Sequence, residues 1–171
     1  MEVEAYLGEN DLAAHSARGI TPRTRVIFGP PGHAYVYFIY GMYECLNLVA
    51  EPEGQAGCVL IRALEPLDGL ESMRRRRPSA KRDVDLMNGP GKLTLAMGIR
   101  RADHNGCDLT VKSSPIAVMR DRKAPPPAEE IVVTPRIGIN VSADLPLRFF
   151  VRNCPYVSAI RTSAKSSVIK G

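Results

Sequence analysis

The residues with the clearest chemical potential are Glu4 and Arg62, and both occupy unusual settings. Val3, Ala5 and Leu7 alternate with Glu2, Glu4 and Tyr6, which reads as a strand with one apolar face. Glu4 and Tyr6 then share the other face, two residues apart. Arg62 interrupts the apolar run Cys58 to Leu64, and an arginine buried there needs an anion or a bound water. A carboxylate beside such an arginine can act as a general base on water, or the two can form an ordinary ion pair. His15 is open to the same two readings, as a catalyst or as a locally hydrogen-bonded helix residue. The sequence holds no Walker A loop, G-x-S-x-G elbow, H-E-x-x-H or G-x-G-x-x-G motif. Four scattered cysteines, Cys45, Cys58, Cys107 and Cys154, have no metal-ligand spacing and read as reduced thiols. The expectation is chemistry without metal or cofactor.

The stretch Ala34 to Asn47 carries four of the six tyrosines among β-favouring residues. Alternation sends Tyr35 and Tyr37 to one face, with Val36, Phe38 and Tyr40 on the other. Gly41 allows a reversal that places Tyr40, Met42 and Tyr43 at or beside an exposed tip. The run is open to a plain core reading. An aromatic at a projecting tip also suits insertion between stacked bases.

At 171 residues the chain has the size of one domain with a real core. Its 44% hydrophobic and 24% charged residues are ordinary for a globular protein. No apolar run approaches the roughly 20 residues of a membrane span, and the acidic start lacks a signal-peptide core. The expectation is a cytoplasmic protein, associated with the nucleoid if bacterial. Net charge is +5, and it is uneven. Residues 1–85 carry 10 Lys/Arg against 12 Asp/Glu, whereas residues 86–171 carry 13 against 6. A basic half fits a polyanion, and equally fits general solubility.

Elsewhere, Asn10 or Asp11 could cap a short helix from Leu12 to His15. Leu67, Leu70 and Met73 have helical spacing and lead into Arg74 to Arg77. That tetrad reads as the solvated helix end, with DNA contact as the alternative. Asn88 to Lys92 reads as a glycine-rich helix entry, either a phosphate cradle or only a turn. Residues 100–130 read as surface loops with short strands. Two final strands are expected at Arg136 to Ile139 and Leu147 to Arg152, with a frayed tail from Ser163.

Taken in order, several motifs recur together: Glu-Ala-Tyr-Leu-Gly from Glu4, Ala-Ala-His-Ser from Ala13, and Thr-Pro-Arg-Thr-Arg from Thr21. Tyr-Val-Tyr-Phe-Ile-Tyr-Gly-Met-Tyr from Tyr35, Leu-Asn from Leu46 and Leu-Ile-Arg-Ala-Leu-Glu-Pro from Leu60 follow. Gly-Pro-Gly-Lys-Leu from Gly89 and Leu-Arg-Phe-Phe-Val-Arg-Asn from Leu147 complete the set. This series resembles the alkyladenine (3-methyladenine) DNA glycosylase family from residue 1 to about Ser158, most weakly over Arg100 to Thr134.

The resemblance implies a single α+β domain over residues 1–171, with a curved antiparallel sheet, surrounding helices and a protruding DNA-intercalating hairpin. It implies a monofunctional glycosylase that flips alkylated, and also deaminated, purines out of double-stranded DNA and leaves an abasic site. Glu4 is then the base that activates water, with Arg62 helping to bind it. Tyr6, His15 and Tyr37 wall the base pocket, and Asn47 is the gatekeeper against normal guanine. Tyr40 is the wedge, flanked by Met42 and Tyr43. Members of the family carry a strand and helix ahead of the Glu-Ala-Tyr motif. The early position of Glu4 therefore implies either a start assigned too late or a truncated chain that binds lesions with weak or no activity. A monomer suffices for the expected chemistry.

Overall fold

A computed structural model describes residues 1–120 and 124–158. Their centre is one open, six-stranded antiparallel sheet in the order β2-β3-β4-β1-β6-β5. The strands are β1 (Glu2–Tyr6), β2 (Ala34–Ile39), β3 (Tyr43–Val49), β4 (Cys58–Ala63), β5 (Ile131–Thr134) and β6 (Arg148–Val151). Three short helices accompany them: α1 (Leu70–Arg76), α2 (Pro90–Met97) and α3 (Arg101–His104). The fold is thus a single α+β domain, as the resemblance implied.

β2 and β3 form a hairpin closed at Tyr40 and Gly41, with the Met42 N–H bonded to the Ile39 carbonyl at 3.3 Å. The two central residues of this turn have positive φ, 54° for Tyr40 and 68° for Gly41, within a three-residue loop, Tyr40 to Met42, between the paired Ile39 and Tyr43. Glycine enters this region freely, whereas tyrosine is strained there by about 1–3 kcal/mol. Tyr40 therefore leaves the strand alternation: it lies at the mouth of a cleft, not on the face of Val36 and Phe38.

On the far side of the sheet, Ala34, Val36 and Leu46 pack with Ile99 and Leu109. Leu86, Met87, Leu93 and Ala96 form a second cluster against Ile61 and Leu64. On the near side, Ile27 and Phe28 close over Tyr35 and Val49. β1 reverses the usual logic. Glu2 and Glu4 are 1% and 0% exposed, while Val3 and Ala5 are only half-buried. A strand that buries its charges more deeply than its apolar side chains is organised around a polar site.

Several expectations change. The strand near residue 136 lies earlier, at Ile131–Thr134, and Arg136 to Ile139 form a loop. Before β5, residues 100–130 contribute α3, a short 3-10 turn and one isolated bridge, His33 to Asp108, but no strand among the described residues. The helix expected at Leu12 to His15 is a 3-10 turn at His15–Arg18, and its preceding residue is Ala14. Of the arginine tetrad, Arg74 and Arg75 pair at the surface with Asp83 and Glu71. Arg76 instead binds the Ala96 carbonyl at 3.0 Å, and buried Arg77 binds the carbonyls of Asp85 and Leu86. These two fasten α1 to its neighbours. Gly91 in the helix entry has a steric purpose, since a Cβ there would sit 2.9 Å from three atoms of Tyr43. The expected frayed tail lies outside the described residues.

Candidate active site

One face of the sheet supplies a continuous row of side chains. Tyr35 pairs with Asn47, Asn47 with Leu60, Leu60 with Glu4, and Glu4 with Arg148, so all five lie abreast across five strands. Cross-strand partners point to the same side, which makes this row the floor of the site. Between Glu2 and Val3 the register slips: Val3 faces Ile61 but Glu2 faces Ala63. Arg62 is the extra residue of that bulge, a feature that commonly re-aims a side chain beside a functional site.

The re-aimed guanidinium meets both carboxylates of β1. Arg62 Nε donates to Glu2 Oε1 at 3.1 Å, and Arg62 Nη1 lies 3.1 Å from Glu4 Oε2. Glu4 Oε2 also accepts from the Tyr6 hydroxyl at 3.2 Å, and Glu4 Oε1 accepts from the Ile137 N–H at 2.7 Å. The phenol of Tyr6 is held protonated, first by burial and then by the neighbouring Glu4 charge. Two hydrogen-bond donors and one ion pair, from three different segments, thus fix one fully buried carboxylate.

Beside this group opens a cleft of about 290 Å³. That is the low end of small-ligand pockets, roughly 300–1,000 Å³. Tyr6, His15, Tyr37, Tyr40, Tyr43, Asn47 and Arg62 all line it, and Glu4 lies directly behind Tyr6 and Arg62. Two expected site residues do not line the cleft: Met42, which is 65% exposed, and Glu4, which is fully buried. Tyr43 borders the mouth, pressed over Gly91.

The aromatic wall is held by mutual ring contacts. The His15 ring sits edge-on to Tyr37 at 4.5 Å, and Tyr35 lies 5.6 Å from Tyr37. His15 Nδ1 is hydrogen-bonded to the Tyr35 hydroxyl at 2.9 Å. Burial, reinforced by Arg23 and Arg18, pulls the imidazole down to about 4, so it is neutral at physiological pH. Burial likewise drives the Tyr37 hydroxyl well above the ordinary phenol range. Asn47 is 2% exposed and pinned at both ends. Its amide donates to the Tyr35 carbonyl at 3.1 Å and its oxygen accepts from the Cys58 thiol at 3.8 Å. Burial pushes that thiol up to about 12, which keeps it a donor.

Sequence reasoning missed five contributors. Asp11 caps no helix; it makes a buried two-pronged ion pair with Arg136. Arg136 stacks over the Tyr6 ring at 4.6 Å and carries the loop whose Ile137 N–H reaches Glu4. Glu2 accepts from two arginines and from Ser158. Cys45 and Cys58 both line the cleft. A signal was present for Arg148, a charge in an otherwise strand-like pattern. No local signal tied residue 11 to residue 136.

Residues 1–155 match the family described as methylpurine-DNA glycosylase. A protein of Burkholderia lata, provisionally named a 3-methyladenine DNA glycosylase, is 53% identical over 158 residues, 92% of this chain and 75% of its own. Similar proteins, under the same provisional name, occur in Koribacter versatilis, at 49% identity over 94% of this chain and 77% of its own, and in Methanocella arvoryzae, at 49% over 92% and 78%. With a matched region that takes in every strand and the whole cleft, this chain belongs to the methylpurine-DNA glycosylase family.

Proposed function

We propose that this protein excises alkylated purines, 3-methyladenine among them, from duplex DNA by extruding the base into the cleft and hydrolysing its glycosidic bond. The observation that carries the reading is Glu4: a fully buried carboxylate held by Tyr6, Arg62 and Ile137 against an aromatic cleft of single-base size. A purine inside a duplex is out of reach, so it must leave the stack at a cost of a few kcal/mol. The strained, 76% exposed Tyr40 is suited to fill the space it vacates, with Met42 and Tyr43 beside it.

In the bound state the flipped base lies among Tyr6, His15 and Tyr37. N-alkylated purines carry positive charge, and aromatic faces attract a cation by about 0.5–2 kcal/mol that a neutral base lacks. A neutral His15 adds no repulsion. The pinned amide of Asn47 crowds the 2-amino group of normal guanine.

Glu4 then takes a proton from water while the oxygen forms its bond to C1′. The bond from C1′ to the base nitrogen breaks, and its electron pair leaves with the base, which becomes neutral. Arg62 orients the water. The products are free base and an abasic sugar, without a lysine adduct. A deaminated purine starts neutral and needs a proton on departure. The phenols, thiols and neutral imidazole of the cleft supply one poorly, so alkylated purines are the better substrates.

The test is release of 3-methyladenine from duplex DNA treated with dimethyl sulfate, followed by chromatography, with borohydride present in a parallel reaction. Base release without a trapped protein–DNA adduct supports the proposal. Tight lesion binding without release favours a binding protein of the same fold, and efficient trapping contradicts the water mechanism.

A further inference from the structure

Glu2 has no part in the hydrolysis described above, yet it is as thoroughly bound as any group in the molecule. It is 1% exposed. Its Oε1 accepts from Arg62 Nε at 3.1 Å, Arg148 Nε at 2.6 Å and the Ser158 hydroxyl at 2.7 Å. Its Oε2 accepts from the Ser158 N–H at 2.6 Å. Burial opposes its ionisation, but the bonds from Ser158 and Arg148 outweigh that, and its carboxyl lies below the ordinary range.

What matters is how this divides Arg62. A free guanidinium faces a carboxylate as a fork, two parallel bonds to both oxygens. Here one prong is diverted: Nε goes to Glu2 and only Nη1 meets Glu4. Among the described residues, Glu4 Oε1 is therefore occupied by the Ile137 N–H alone and retains a lone pair. We propose that Glu2 is a positioning residue, splitting the guanidinium of Arg62 between two carboxylates so that Glu4 keeps an acceptor site for the proton of water.

This inference rests on the reading of Glu4 as the base. Charge supports it as well. Two carboxylates, Glu2 and Glu4, are balanced by Arg62 and Arg148 in one buried cluster. Arg148 itself binds Thr134 at 3.2 Å and stacks over Phe150 at 4.3 Å, so it is held independently of Glu4. Without the Glu2 charge, Glu4 would face two arginines alone, and Arg62 would be released to close on it as a fork. Both changes make Glu4 a weaker base.

The other groups facing Glu4 are Tyr6 on its own strand, Cys45 from β3 and Arg136 from the loop after β5. They are unchanged in the test.

The experiment is single-turnover release of 3-methyladenine from dimethyl sulfate-treated duplex DNA, at saturating protein, from pH 4.5 to 8.5. The saturated rate constant is independent of the folded fraction, which urea unfolding followed by circular dichroism reads separately. For Glu2→Gln the rate constant at pH 7 should fall about tenfold, part of the roughly 10²–10⁴-fold that a positioned base supplies. Its acidic limb should move down by about one pH unit, because a neighbouring negative charge is gone. Arg148→Gln should move the limb the opposite way. A purely structural brace would lower the unfolding midpoint in both variants while rate constant and limb stay at wild-type values, and that result overturns the proposal. Glu4→Gln in the same series separates the two ideas: wild-type release by that variant removes the base assignment itself, whatever Glu2 does.

Discussion

Replacing Asp11 by Asn should unfold more of this protein than any single surface change. Asp11 is 2% exposed and Arg136 5%, and each is the other's counter-ion. The carboxylate also accepts the N–H groups of Leu7 at 3.2 Å and Ala13 at 3.1 Å, so it closes the turn after β1. Arg136 in turn binds the Ala5 carbonyl at 3.0 Å and the Ser142 carbonyl at 3.3 Å. Asparagine keeps the shape but leaves the guanidinium buried without an opposing charge. Removing one partner of a buried pair costs about 3–5 kcal/mol. For a chain of this size that corresponds to a fall in Tm of about 6–20 °C. Burial raises the Asp11 carboxyl, but the bonds from Arg136, Leu7 and Ala13 prevail and lower it. Its contribution is therefore complete above the unfolded carboxylate value of about 3.9 and is lost as pH falls through the lower folded value. Urea unfolding of both proteins across pH 3–7 checks the magnitude and the sign. A loss below about 1 kcal/mol at pH 7 would refute the claim that Asp11 secures Arg136 and the loop reaching Glu4.

Two further outcomes follow from the cleft. The His15 ring should titrate by NMR near pH 4, and its neutrality should cost stability as pH drops from about 6.5 toward that midpoint, because the unfolded chain takes up the proton first; a midpoint at 6.5 would mean that the ring is open to solvent. Tyr40→Ser should leave folding stability within about 0.5 kcal/mol, since serine keeps the Cβ at the same positive φ, while weakening affinity for duplex with an abasic site; equal affinity would exclude the wedge role.

How legible this was from sequence depends on where each interaction partner lies. β1, the hairpin and β4 are visible because alternation and a turn glycine are local signals. Glu4, Tyr6, Tyr37, Asn47 and Arg62 were singled out from those strands and the motif order, and the structure gathers them around one cleft. What stayed hidden is non-local or contrary to habit. Arg136 to Ile139 reads as a strand by composition, yet the buried pair with Asp11, 125 positions away, holds it as a loop. The position of Arg62 depends on a one-residue bulge between strands that no single strand encodes. Glu2 reads only as one of the polar residues that alternate with the apolar face of β1, because its two arginines and Ser158 arrive from β4, β6 and the segment beyond β6. Burial of the polar face of β1 was the information that alternation alone could not carry.

The central claim is that Glu4 activates the water. Single-turnover release and lesion binding should be measured side by side for wild type and Glu4→Gln on the same dimethyl sulfate-treated duplex. The variant keeps an oxygen for the Ile137 N–H or for Arg62 but cannot take the proton. Its excision rate should fall by about 10²–10⁴-fold, with lesion affinity changed by no more than about threefold. Excision by Glu4→Gln at the wild-type rate would contradict the account.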